Sequence, residues 1–135
     1  MLTIVLALAL AAPLPAQDYA CPSELAPSAI GVTQPPPGWT GFIPTKIFLN
    51  AVGISTGPLE NRATLIGDYR KLTREAFTVS FSLKGLERYD RWVLCQYGLG
   101  NEIVIAKLLR EPVAQCVVTY TPDKFGGKTI KVDCR

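Results

Sequence analysis

The sequence predicts a mainly β protein: an antiparallel sheet of about six strands, closed as a small sandwich or open barrel, with one short helix and a proline-rich N-terminal arm. Three observations carry that reading. Residues 76–83, AFTVSFSL, alternate Phe77, Val79, Phe81 and Leu83 with Thr78, Ser80 and Ser82, the period of a strand with one buried and one solvated face. Residues 91–135 set four apolar runs, at 92–97, 103–109, 116–120 and 130–132, between GLGN, REP and PDKFGG. That stretch reads as a meander of four short antiparallel strands. Lastly, the cysteines are Cys21, Cys95, Cys116 and Cys134, an even set of the kind that forms disulfides in an exported chain.

Taken in order, residues 1–16, MLTIVLALALAAPLPA, hold no charge and a nearly unbroken apolar run from Leu2 to Ala12. The run is too short for a membrane helix and ends in Pro13, Pro15 and Ala16, as a cleavable secretory signal does. Residues 17–135 are then expected to form a single domain, exported to the periplasm or secreted. No later apolar stretch reaches membrane length, so no membrane span is expected. Residues 17–44 form the arm, with six prolines between Cys21 and Pro44; proline fixes φ and removes a donor, which favours extended chain. Trp39 and Phe42 are expected to anchor that arm to the core.

Residues 46–54 predict a first strand with Ile47, Leu49 and Ala51 on one face and Gly53 marking a bulge or an end. Pro58, Glu60, the apolar Leu59, Ala63 and Ile66, and Gly67 then predict a helix of about two turns. Residues 68–75, DYRKLTRE, are polar and read as loop. Residues 92–97 are apolar on both faces and therefore central in the sheet. Residues 127–135, GKTIKVDCR, carry the alternating charge of a protected edge strand.

A hairpin turning at 123–127 sets Cys116 opposite Cys134, within bridging distance. Cys21 is left for Cys95. Of the three possible pairings this is the one expected, and it ties the arm to the middle of the sheet.

The formal charge of +3 comes from 14 basic and 11 acidic residues that are well interspersed, which argues against nucleic acid as a partner. No histidine is present, which removes Ser-His-Asp and Cys-His hydrolases and most zinc enzymes; no cofactor and no metal is expected. Glu87 and Asp90 are the nearest carboxylate pair for an enzyme, although Arg88 and Arg91 beside them suit a charge-balanced turn better. Arg62, Arg70, Lys71 and Arg74 form a candidate anion-binding patch for an envelope component or an acidic protein.

The landmarks CPSEL (21–25), PPGW (36–39), GPLENRATL (57–65), WVLCQY (92–97), CVVTY (116–120) and the closing VDCR (132–135) together resemble a family of small secreted proteobacterial proteins without an assigned function. That resemblance implies an exported, disulfide-bonded protein and supplies no catalytic residue. In architecture the chain also resembles periplasmic lysozyme inhibitors, which are small, stapled antiparallel β proteins, although the +3 charge suits a cationic lysozyme poorly. The function expected is therefore a non-enzymatic binding module of the bacterial envelope with an unidentified envelope or protein partner. The alternatives are an inhibitor of a lysozyme-like or other hydrolase, and a carboxylate-dependent cell-wall enzyme.

Overall fold

The computed structural model describes residues 18–135; the expected signal at 1–16 lies outside them. The strands are β1 (Glu24–Leu25), β2 (Ile47–Thr56), β3 (Asp68–Lys71), β4 (Phe77–Ser82), β5 (Arg91–Tyr97), β6 (Ile103–Leu108), β7 (Gln115–Pro122) and β8 (Lys128–Cys134). They make two four-stranded sheets, ordered β1-β2-β5-β6 and β3-β4-β7-β8, in which every pairing is antiparallel. Val52, Ile54, Val93, Cys95 and Tyr97 of the first sheet and Phe81, Leu83, Cys116, Val118 and Tyr120 around the second belong to one buried cluster. The fold is thus a β-sandwich, with alternate side chains of β2, β4, β5, β7 and β8 directed into a shared core.

Alternation accounts for the second sheet row by row. Phe77 lies opposite Tyr120 and Tyr120 opposite Ile130; Val79, Val118 and Val132 form the next row, and Phe81, Cys116 and Cys134 the third. The other face carries Thr78, Thr119 and Lys131. β5 is central in the first sheet, between β2 and β6, as its two apolar faces require.

Four local expectations are corrected. The C-terminal meander splits into two hairpins, β5–β6 in one sheet and β7–β8 in the other. The connection between them begins on the first sheet, where Leu109 N–H donates to Arg91 O (2.8 Å), and ends on the second, where Leu83 N–H donates to Ala114 O (2.8 Å). Buried Leu109 and Val113 make it an inter-sheet crossing rather than a turn. The expected helix is a single 3₁₀ turn, Leu59–Asn61, closed by Arg62 at φ 50°. Its second half instead lies along β2: Thr56 N–H donates to Ala63 O (3.0 Å) and Leu65 N–H to Ile54 O (2.8 Å). The polar run DYRK is strand β3, an edge that pairs with β4; charge on an edge strand guards it against unwanted pairing. These last residues and the two-residue β1 account for the strands beyond six. The bulge in β2 falls between Leu49 and Ala51, at Asn50 rather than Gly53.

The arm is not simply extended. It holds β1 and a 3₁₀ turn at Pro27–Ala29, and turns at Pro36, whose carbonyl accepts from Trp39 N–H (3.0 Å). Gly41 sits so close to Val32 that a Cβ there would lie 2.4 Å from the valine Cβ, so the arm packs on itself. Trp39 and Phe42 are accordingly not core anchors; they are 74% and 76% exposed. The anchoring falls to Tyr19, which is buried, to Pro22, whose carbonyl accepts from Tyr97 Oη–H (2.8 Å), and to the Cys21–Cys95 disulfide. The second disulfide joins Cys116 to Cys134, directly across the β7–β8 register. No helix among the described residues is long and apolar enough to cross a membrane.

Candidate functional site

The β5–β6 and β7–β8 hairpins belong to different sheets, yet their tips flank one cleft of about 750 Å³ whose lining includes Ile47, Phe48, Leu49, Asn50, Leu99 and Phe125. Each tip carries one large apolar side chain in open solvent: Leu99 is 98% exposed and Phe125 94%. Phe48 is also exposed. Neither tip residue adds to the core, so packing does not explain either.

Both tips are built to hold their shape. At 123–127, Asp123 Oδ1 accepts the N–H groups of Phe125 and Gly127, each at 2.8 Å, while Asp123 N–H donates to Gly127 O (3.0 Å). Gly126 takes φ 79°, which a side chain would resist. At 98–102, Glu102 Oε1 accepts Gly100 N–H (3.1 Å) and Asn101 N–H donates to Gly98 O (3.1 Å). The bulge residue Asn50 links the two: its Oδ1 accepts from Lys128 Nζ (3.0 Å), and its Nδ2 donates to Asn101 Oδ1 (2.9 Å). Asn50 is the extra residue of the β2 bulge, and a bulge re-aims its side chain, here toward both hairpins. The cleft floor is thereby tied to both walls.

The residues expected from the sequence lie elsewhere. Arg70 and Lys71 are successive residues of β3 and so face opposite sides of an exposed edge; Arg74 follows in the turn to β4. Arg62 belongs to the connection that runs along β2, where it borders a groove on the first sheet. Glu87 Oε1 accepts Gly85 N–H (3.2 Å), and backbone hydrogen bonds hold its carboxyl below the usual glutamate range. A general acid needs the opposite shift, so Glu87 is suited to ordering its turn. Among the described residues no group of three or more His, Cys, Asp or Glu side chains is placed to hold a metal ion. Leu99, Phe125 and Asn50 were not singled out by pattern. The signal that could have found the first two is a lone large apolar residue beside glycine at a hairpin tip, in GLGN and KFGG.

The model of a family described as Type VI secretion system Tli immunity protein matches residues 44–135, which takes in β2 to β8 and three of the four cysteines. The chain belongs to that family. Of the landmarks in the sequence, GPLENRATL, WVLCQY, CVVTY and VDCR fall inside the Tli immunity match. No curated protein and no solved structure matches. The landmarks resemble a family of small exported proteins without an assigned function; the family that matches is a different one, described as immunity proteins.

Proposed function

We propose that this protein is an exported immunity protein that binds a secreted effector hydrolase and keeps it inactive, docking through the cleft between Leu99 and Phe125. Membership of the Tli immunity family supports a toxic effector as the partner. The observation that carries the docking site is the pair of solvent-exposed apolar tips braced over one cleft. Exposed apolar groups on rigid loops mark interaction surfaces, and fixing them in advance lowers the ordering cost of binding. Two disulfides suit the oxidising periplasm. This reading lies close to the hydrolase-inhibitor alternative, with a type VI effector in place of a lysozyme.

The test uses the oxidised protein and the effector hydrolases secreted by the same cell's type VI system. Calorimetry should find one of them bound in a 1:1 complex with its hydrolytic activity abolished. Leu99→Asp and Phe125→Asp should each weaken binding by about 2 kcal/mol, the scale of an interface hot spot, and leave Tm unchanged because neither side chain is packed. Undiminished affinity in both variants would exclude the cleft as the docking site.

A further inference from the structure

A second concavity, of about 520 Å³, lies on the outer face of the first sheet, over Leu94, Val104 and Ala106, with Ser55 and Arg62 among its lining residues. Antiparallel sheets ordinarily present polar side chains on a solvated face, whereas Leu94, Val104 and Ala106 here stand beside the polar Gln96. Ser55 is only 3% exposed, and its Oγ has no hydrogen-bond partner among the described residues. A buried hydroxyl without a partner costs stability, and Ser55 is among the residues that line the concavity.

The backbone around the groove is also unusual. Among the described residues the non-glycine residues with positive φ are Arg62 (50°) and Asn101 (56°), and both line this groove. Such conformations are unfavourable for a residue like arginine and concentrate at binding sites. Arg62 and Ser55 border the same groove, and Ser55 pairs with Thr64, two residues beyond Arg62. Among the described residues Arg62 makes no ion pair. An uncommitted guanidinium and a buried hydroxyl donor together form a seat for a carboxylate.

The far end of the groove holds Glu102. Ser55 lies opposite Trp92 on β5, and Glu102 immediately precedes Ile103, which lies opposite Tyr97. Five strand residues separate those positions, or about 17 Å. The groove is therefore the length of an extended stretch of about five residues, with a cationic end and an anionic end. Its anionic end is the β5–β6 turn, which is also a wall of the cleft: Gly98 and Leu99 line one concavity and Asn101 and Glu102 the other.

We infer that this groove takes an extended segment of the effector, with an acidic side chain seated on Arg62 and Ser55 and apolar side chains over Leu94, Val104 and Ala106. The inference rests on the immunity reading above and extends the interface around the β5–β6 turn onto the sheet. In the experiment, affinity of the oxidised full chain for the effector is measured by calorimetry at low and high salt, for the wild type, Arg62→Asn and Ser55→Ala. Asparagine tolerates the left-handed conformation, so Arg62→Asn should keep or raise Tm while weakening binding about tenfold and flattening its salt dependence. Ser55→Ala should weaken binding severalfold without lowering Tm. Amide hydrogen exchange in the complex should slow at 104–106 as well as at 98–101. Wild-type affinity in both variants, with Leu99→Asp still disruptive, would overturn the groove and leave the cleft standing. If the wild-type protein captures none of the effectors, both proposals fall together.

Discussion

Replacing Tyr120 with phenylalanine isolates the link between the two sheets. Between Phe48, which pairs with β1, and the segment around Thr64, which meets Ser55, the outer edge of β2 has no neighbouring strand among the described residues. Val52 sits there, buried, with both backbone groups directed away from β5. Tyr120 on the second sheet fills the place of the missing strand: its hydroxyl accepts Val52 N–H at 3.1 Å and donates to Val52 O at 3.4 Å. Tyr120→Phe keeps the ring, and with it the stack on Phe77 at 4.5 Å, but strands the Val52 N–H. An unsatisfied buried donor costs about 1–3 kcal/mol, and the longer bond adds little, so the expected loss is about 2 kcal/mol. For a domain of this size that is roughly 8 °C in Tm. Thermal unfolding followed by circular dichroism reads it directly. A Tm within about 2 °C of the wild type would show that the hydroxyl is not what satisfies Val52.

The disulfides should differ in worth. Their sequence separations are 74 for Cys21–Cys95 and 18 for Cys116–Cys134, which in the chain-entropy treatment correspond to about 4.4 and about 3.2 kcal/mol. Urea unfolding of the paired alanine variants should therefore show the larger loss for Cys21→Ala/Cys95→Ala, and the reverse order would refute the ranking. Burial raises the Tyr97 and Tyr120 phenols above the usual 10.0, so the folded state favours neutral tyrosine. Their contribution is fully present below about pH 10 and is lost as pH rises through the higher folded values. Urea midpoints should consequently fall on the alkaline side, and Tyr120→Phe should flatten that decline.

What could be seen in the sequence was whatever a short-range period encodes. Phe77, Val79 and Phe81 declare a strand because the pleat repeats every two residues, and the turn at 123–127 fixes a register that brings Cys116 to Cys134. The partition into two sheets leaves no such trace. A meander and a pair of hairpins in separate sheets have the same local pattern, and the choice is made by Leu109 and Val113 burying themselves in the crossing. Propensity failed at 58–66 for a related reason: the Leu65 N–H and the Ala63 carbonyl that a second helical turn would have used are taken by β2, a tertiary partner that no local window contains. DYRK looked like loop because edge strands are charged for protection, which erases the alternation that identifies inner strands. The candidate cleft was the least legible part, since Asn50, Leu99 and Phe125 become neighbours only when both hairpins and the β2 bulge are in place.

On the proposed reading, the way the core is held bears on how the tips would bind. Leu99 and Phe125 stand on hairpins of different sheets, so their separation depends on how those sheets sit on one another. Hydrophobic packing alone is non-directional and would permit small slips. The Tyr120 hydroxyl on Val52 and the Asn50 amide joining Lys128 to Asn101 are directional and pass from one sheet to the other, whereas each disulfide stays within the arm and first sheet or within the second. Loops ordered only upon binding cost about 0.5–1.5 kcal/mol for each side chain immobilised. Here Asp123 and Glu102 order the backbone of the tips within the free protein, which leaves the Leu99 and Phe125 side chains to be ordered on contact. An inhibitor must hold its target through long encounters, and for related complexes residence time is where affinity is mostly decided. On the proposed immunity reading, a stapled sandwich with two apolar tips on ordered backbone is a physical solution to that requirement.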